Sequence, residues 1–425
     1  MKLSPYSRIF PYKDGFILYS ILTSASVLVD KDTLDRTLAG KNRPEEQKSL
    51  LELGIVTSDP ERDRSVARSI IEARNKNSST LRVVAAMNLD CNLACPYCFE
   101  KGVKGKDLYM SRETAGRLVD FITARLSRGI KTLAVDFYGG EPLLSLGLIK
   151  EIAARLQKEC AGRGVNFGFS CTSNGTLLTP KTVEALLPLG FKSVRVTVNG
   201  PKEIHDSLRP FVGGAGSFET IMKNLKAAAG KVIIAVTGSY TKDNYRDYPP
   251  LLDQMKKEGL TPENVAMVRF EPVLAREGDC AGACADPDEP WVAEATIYLR
   301  NEVLKRGYKA QRTKPSICSA HFKNNLIINW DGGIYKCPGF LGNPLFQSGS
   351  LAEGPAAYTK KHALSAWKNK KCLACQYLPL CFGGCKYMRH FRTGDIKGIE
   401  CRKDFLDAAL EGMIKQEIRY PKRLI

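Results

Sequence analysis

The chain has 425 residues, of which 44% are hydrophobic and 25% are charged. That is material for roughly two to four ordinary globular domains, and it excludes disorder, collagen-like repeats and low-complexity scaffolds. Two features depart from the ordinary: a formal charge of +18 and 14 cysteines, too few for a secreted disulfide scaffold and too clustered for scattered core thiols.

Taken in chain order, residues 16–29 carry no charge and follow Lys2, Arg8 and Lys13, which superficially resembles a signal peptide. The stretch alternates, however. Ile17, Tyr19, Ile21, Ala25, Val27 and Val29 share one parity, while Ser20, Ser24, Ser26 and Asp30 share the other. Period two predicts a half-buried strand or hairpin. No other run approaches the roughly 18 apolar residues of a membrane span, so a cytoplasmic protein without a membrane partner is expected. Short helical patterns follow at 32–38 and 45–53, ending at Gly54, then a charged helix at 64–74 and a polar linker at 75–80. Residues 1–80 read as a small separate module, nearly neutral with 13 basic and 11 acidic residues.

From residue 81 strands and helices alternate. Apolar strands are predicted at 81–87, 132–137, 166–171, 193–198, 232–236 and 265–270, with helices at 111–126, 144–159, 181–187, 218–228 and 248–258. This is a βα repeat, hence an α/β fold with parallel strands covered by helices. Six units are too few for a closed eight-stranded barrel, which leaves a partial barrel or an open sheet over 81–310. Beyond about residue 310 the repeat stops, and 311–425 is rich in Cys and Gly. Its last part, 355–425, holds 15 basic and six acidic residues, half of the net charge.

The first cysteine triad, Cys91, Cys95 and Cys98, follows the first strand of the repeat. Three thiolates from one loop can bind three irons of a [4Fe–4S] cluster and leave the fourth iron open to a chelating ligand. A zinc knuckle or three core thiols are the bland alternatives. The pattern Cys91-x3-Cys95-x-Tyr97-Cys98 resembles the signature of the radical S-adenosylmethionine (radical SAM) superfamily. Further elements follow the later strands. Phe137-Tyr138-Gly139-Gly140-Glu141-Pro142 is similar to the family's GGEP element, and Thr172-Ser173-Asn174-Gly175-Thr176 to its TNG-type turn. Thr197-Val198-Asn199-Gly200-Pro201, with His205-Asp206 and Arg209, is similar to its S-x-D-G-P…H-D…R element, with Asn199 in place of the usual Asp. The resemblance implies that Cys91, Cys95 and Cys98 hold the catalytic cluster. It also implies that Tyr97, Gly139, Gly140, Glu141, Pro142, Ser173, Asn174, Thr197 and Arg209 surround S-adenosylmethionine (SAM). A salt bridge at a helix start is the plainer reading of His205-Asp206.

The second array runs Cys318, Cys337, Cys372-x2-Cys375-x5-Cys381-x3-Cys385 and Cys401. It resembles the SPASM extension, which carries two auxiliary [4Fe–4S] clusters, so three clusters are expected in all. The resemblance assigns Cys372, Cys375, Cys381 and Cys401 to an outer cluster and Cys318, Cys337 and Cys385 to an inner one. The inner cluster lacks an evident fourth ligand. Cys280, Cys284, His321, a substrate Cys or an open iron all remain candidates. Cys160 and Cys171 read as buried core thiols.

SPASM enzymes mostly modify peptides and proteins. Anaerobic sulfatase maturases usually carry an Asp after the second SPASM Cys, where this chain has Pro338, and they usually begin near the triad. Maturases of ribosomally made peptides often start with a winged-helix-like module that captures the leader, and residues 1–80 resemble one in pattern. A radical SAM peptide maturase forming a thioether or carbon–carbon cross-link is therefore expected. Formylglycine formation is the alternative, and a multi-cluster electron carrier is the reading from another class. The expected partners are a precursor peptide, leader plus core, and a flavodoxin- or ferredoxin-type electron donor. No nucleic acid is expected, for want of any RNA-binding motif. With ten ligands as thiolates and three cluster cores at roughly +2 each, the working charge falls to about +14.

Overall fold

The computed structural model describes residues 1–98, 100, 102–126, 129–273, 289–356 and 358–425. Cys280 and Cys284 lie outside the described residues.

The N-terminal part contains β1 (Lys2–Leu3), β2 (Ser7–Tyr12), β3 (Gly15–Ser20), β4 (Ser26–Val29), α1 (Lys31–Leu38), α2 (Pro44–Glu52), β5 (Val56–Thr57) and α3 (Pro60–Lys76). Strands β2, β3 and β4 form an antiparallel sheet in that order, and β1 pairs with β5. The central strand differs from the alternating expectation: Ser20 is as buried as Ile17, Leu18 and Tyr19. Both faces are covered. Leu18 packs with Leu34, Leu50, Ile55 and Val56 of the N-terminal part. Ile17, Tyr19 and Ile21 pack instead with Tyr377, Leu378, Leu410 and Ile414, far along the chain. The N-terminal part therefore shares a core with the Cys-rich part.

The middle of the chain supplies β6 (Thr80–Asn88), α4 (Arg112–Thr123), β7 (Thr132–Gly139), α5 (Leu146–Ala161), β8 (Asn166–Ser173), α6 (Pro180–Leu186) and β9 (Phe191–Thr197). It continues with α7 (Lys202–Leu208), α8 (Phe218–Ala228), β10 (Ile233–Tyr240), α9 (Pro249–Lys257), β11 (Val265–Pro272) and α10 (Pro290–Lys305). Then come β12 (Asn325–Ile328) and β13 (Ile334–Tyr335). The eight-stranded sheet runs β11-β10-β9-β8-β7-β6-β12-β13. It is parallel from β11 to β12, and β13 is antiparallel.

All six strands expected from the βα repeat are present, in an α/β partial barrel. The repeat does not end the sheet, however. β12, from the Cys-rich part, adds a further parallel strand beside β6. Four residues with no helix behind them leave no βα signature. Helix α10 was not among the expected helices: its buried Val292, Ala295, Leu299 and Val303 follow helical spacing, but the buried Arg300 among them and the apolar Trp291, Ile297 and Tyr298 outside that row blur the contrast between faces. Leu133, Val135 and Phe137 of β7 point into the main core. There the ring of Phe169 contacts Phe137 on one neighbouring strand and Phe191 on the other, both with centroids 5.3 Å apart.

The Cys-rich part closes with the short helices α11 (Tyr358–Lys361), α12 (Lys370–Leu373), α13 (Leu378–Cys381) and α14 (Lys386–Thr393), then the long α15 (Lys403–Arg419). Helix α15 packs along α10, joined by the buried pair Arg300–Glu417 at 2.9 Å. Among the described residues no helix is long and apolar enough to cross a membrane. Phe169 stands in the middle of the aromatic ladder, so Phe169→Ala should cost about 3–5 kcal/mol, read as a lower denaturant midpoint of the barrel transition.

Candidate functional site

The chemistry-bearing residues gather at the C-terminal ends of the parallel strands, where βα folds place their sites. The loop after β6 carries the thiol triad, and the turn after β7 seats that loop. A Cβ added to Gly139 would lie 2.3 Å from the carbonyl oxygen of Asn88, and one added to Gly140 would lie 2.1 Å from that of Asp90. Gly139 also has φ +143°, which disfavours any side chain. The two glycines thus bring backbone against backbone: Gly140 N donates to Asn88 O at 3.2 Å and Glu141 N to Asp90 O at 2.8 Å. The Asp90 carboxylate then accepts from Cys91 N at 2.8 Å and from Tyr109 Oη at 2.7 Å.

Glu141 is fully buried. Its carboxylate accepts from Leu143 N at 3.0 Å, Ser173 Oγ at 2.9 Å and Asn174 N at 2.7 Å. Burial pushes its pKa up, and the same donors oppose the rise. Glu141 therefore locks the turn after β8 to the turn after β7. From the locked turn Asn174 Nδ2 reaches Asn92 Oδ1 at 2.8 Å and Cys91 Sγ at 3.6 Å. A thiol thus has an amide donor beside it before any ligand is considered.

The turn after β9 supplies a second polar cluster. Asn199 Nδ2 donates to Tyr97 Oη at 2.5 Å, and its Oδ1 accepts from Ser239 N at 2.8 Å. Arg209 Nη1 donates to Tyr97 Oη at 3.1 Å. Arg209 is buried, and its Nε has no hydrogen-bond partner. Such an orphaned, charged donor fits a carboxylate ligand. His205-Asp206 faces the other way. Asp206 pairs with Lys202 at 2.6 Å and accepts from Phe218 N at 2.9 Å. Burial holds His205 near a pKa of about 3, so its neutral ring accepts from Asn199 N at 3.1 Å. The plainer reading of that pair is the structural one.

One cavity of about 880 Å³ joins these groups to the Cys-rich part. Cys91, Cys95, Tyr97, Cys98, Gly139, Gly140, Ser173, Asn174, Thr197 and Arg209 line it. Glu141 and Pro142 do not; they sit behind the wall, where Glu141 is taken up by the lock described above. Across the cavity the wall contains Pro338, Gly339, Cys385 and Cys401. Glu100, Lys104 and Tyr138 also line it, as do 310–314. None of these was singled out from sequence, although Tyr138 sits inside the quoted GGEP element.

Cys160 and Cys171 are buried core thiols, as expected, and the seven cysteines from Cys318 to Cys401 fall into two electrostatic neighbourhoods. Burial, with the neighbouring Cys318 and Cys385, pushes Cys337 up to about 12. Burial also raises Cys372, with Cys375 and Cys401 adding to it, and Cys381 feels Cys372. Cys318, Cys337 and Cys385 thus lie within electrostatic reach of one another, and Cys372 is likewise near Cys375, Cys381 and Cys401. Clustered thiols with no disulfide among the 12 described cysteines fit a cationic cluster core. Among the described residues no three Cys, His, Asp or Glu side chains converge on one metal ion; thiolates on separate irons of a cluster stand further apart. His321 is held near a pKa of about 4 by burial and by Lys386 and Lys336. It is a neutral imidazole facing the two lysines that also face Cys318.

Residues 88–245 match the Radical SAM superfamily model. The chain is 30% identical over 345 residues to an AdoMet-dependent heme synthase from Methanosarcina barkeri, covering 72% of this chain and 90% of that one. It is 25% identical over 354 residues to a serine-type anaerobic sulfatase-maturating enzyme from Bacteroides thetaiotaomicron, covering 72% and 82%. Among solved structures, anSMEcpe with bound AdoMet and a Kp18Cys peptide superposes with TM-score 0.65 at 20% identity, covering 80% of this chain and 99% of that one. Streptococcus suis SuiB bound to S-adenosylmethionine superposes with TM-score 0.54 at 16% identity, covering 94% and 99%; these two likenesses speak for the fold. With its thiol loop inside the matched region and most of a 30%-identical member aligned along it, the chain belongs to the radical SAM superfamily.

Proposed function

We propose that the protein matures a ribosomally made peptide, taking a hydrogen from a core residue and closing a cross-link, with a thioether favoured. The observation that carries this reading is the single cavity running from the Cys91–Cys95–Cys98 loop to Cys385 and Cys401. It is large enough for a peptide segment between two sets of thiols. SuiB, whose structure has also been solved with its precursor peptide SuiA, aligns with 94% of this chain, against 80% for anSMEcpe. That difference supports a counterpart for the N-terminal part in a peptide-binding protein.

Cys91, Cys95 and Cys98 would hold a [4Fe–4S] cluster with one open iron. The cluster with bound SAM supplies a 5′-deoxyadenosyl radical by reductive cleavage. Arg209, through its orphaned Nε, would take the SAM carboxylate, and Tyr97 would hold the guanidinium in place. Thr197 and the Gly139–Gly140 backbone would complete that side of the pocket. Cys318, Cys337 and Cys385 would hold an inner auxiliary cluster, and Cys372, Cys375, Cys381 and Cys401 an outer one. An inner iron free to take a substrate thiolate favours the thioether. Residues 1–80 would capture the leader by strand addition. The basic stretch 355–425 suits a flavodoxin- or ferredoxin-type donor.

Formylglycine formation stands as the second reading, favoured by the 25%-identical sulfatase-maturating relative. Against it, Pro338 offers no carboxylate in the cavity wall at the position where sulfatase maturases usually carry Asp.

The decisive experiment incubates the reduced, iron-loaded protein with SAM and the short peptide encoded beside it, followed by mass spectrometry. A two-hydrogen mass loss with a thiol that no longer alkylates supports the proposal; formylglycine in a neighbouring sulfatase sequence reverses it. Replacing Cys91, Cys95 or Cys98 with Ala should abolish deoxyadenosine formation, measured by chromatography of the reaction. Loss of a charge-assisted contact costs about 1.5–3 kcal/mol. Arg209→Gln should therefore weaken SAM binding roughly 10- to 100-fold by calorimetric titration, with Tyr97→Phe giving a smaller loss.

A further inference from the structure

Residues 310–316 form an extended strap between the catalytic cavity and three distant parts of the chain. On one side Gln311, Arg312, Thr313, Lys314 and Ser316 line the cavity. On the other side the backbone is gripped repeatedly. Ala310 N donates to Arg423 O at 3.0 Å and Arg312 N to Ile425 O at 2.8 Å, so the C-terminal tail runs alongside. Ser316 N donates to Pro379 O at 3.0 Å, beside Cys381. Arg300 Nη2 donates to Gln311 O at 3.2 Å and to Glu417 Oε1 at 2.9 Å.

Thr313 is the joint. Its N–H donates to Glu417 Oε1 at 2.6 Å, and its carbonyl accepts from Tyr19 Oη at 3.0 Å. Tyr19 is fully buried, and Thr313 and Glu417 are nearly so. Water does not compete for these bonds, and each partner would be costly to leave unmatched. Tyr19 sits on β3, the central strand of the N-terminal sheet, whose face packs on Tyr377, Leu378, Leu410 and Ile414. The same sheet reaches the second thiol array: Arg8 Nη1 donates to Gln376 Oε1 at 2.7 Å, and its guanidinium lies 5.4 Å from the Tyr377 ring centroid.

We propose that Tyr19 is a positioning residue: through Thr313 it holds the 310–316 wall of the cavity in register with the N-terminal sheet, so that a peptide strand docked on that sheet is sensed where the chemistry occurs. The peptide part rests on the proposed maturase function; the mechanical part does not. A docked strand would stiffen β3, and β3 reaches the 310–316 wall of the cavity through this joint and the shared core behind it. Loosening the joint should leave SAM cleavage intact but misplace the substrate. Deoxyadenosine formed per cross-linked peptide would then rise while leader affinity stays the same.

The test is amide hydrogen exchange on the full-length, iron-loaded protein, with no peptide added, comparing Tyr19→Phe with wild type. The proposal expects exchange at 311–316 to rise about 2- to 10-fold, the worth of one hydrogen bond, while 7–29 keeps its protection and basal deoxyadenosine formation is unchanged. Unchanged exchange at 311–316 overturns it. A matching rise at 7–29 also overturns it, because the two segments would then be unfolding together rather than meeting at a joint. If the joint behaves as expected but no peptide is ever modified, the coupling stands and the maturase reading falls.

Discussion

The structure turns on one close approach: the Gly139–Gly140 turn against the carbonyls of Asn88 and Asp90. At 2.1 and 2.3 Å from a hypothetical Cβ, no other residue type fits without moving the strand end that launches the thiol loop. The turn fixes where Cys91 begins, Glu141 carries that position across to Ser173 and Asn174, and Asn174 returns to Cys91. Three strand ends are thereby locked before any cofactor binds. This is the preorganisation that a reactive centre needs, since a small displacement there is expensive in rate. The glycines serve this backbone packing at least as directly as they serve ligand approach.

The cavity joins two kinds of scaffold. Its floor is a parallel sheet with an ordinary apolar core behind it, in which Leu133, Val135, Phe137 and Phe169 are almost wholly inaccessible to water. Its far wall is built from short helices and turns around two smaller apolar clusters, one with Trp367, Leu378 and Phe382 and one with Tyr335, Phe340 and Phe346. Such a wall would be weak alone. It gains support from the N-terminal sheet through Ile17, Tyr19 and Ile21, and from α15 through Arg300–Glu417. Desolvation offsets much of the attraction in a buried ion pair, while removing one partner alone is costly, and here the pair joins α15 to α10 beside the cavity.

Much of this was legible in the sequence. The six strands of the repeat announced themselves by apolar runs of strand length between helical patterns. The thiol loop, GGEP and the turns after β8 and β9 were legible through their resemblance to radical SAM motifs, in order at strand ends. Features set by long-range contact were not legible. Nothing local marks β12 as a parallel partner of β6, because four residues carry no crossover signal. The alternation of 16–29 implied one wet face, yet Ser20 is buried because the face it shares with Leu18 is covered by Leu34, Leu50, Gly54 and Ile55 of the N-terminal part itself. Glu141 looked like a ligand by motif; only the fold reveals that its carboxylate is committed to Ser173 and Asn174. The strap at 310–316 has no motif at all, and its importance comes from what grips it.

The central proposal is that three sets of thiols, of which Cys91, Cys95, Cys98, Cys385 and Cys401 line the cavity, would each hold a cluster. Anomalous diffraction at the iron edge from anaerobically reconstituted crystals tests it most directly. The account predicts three iron centres: one at Cys91, Cys95 and Cys98, one at Cys318, Cys337 and Cys385, and one at Cys372, Cys375, Cys381 and Cys401. Iron missing from the first position, or a single merged centre in the Cys-rich part, would contradict it.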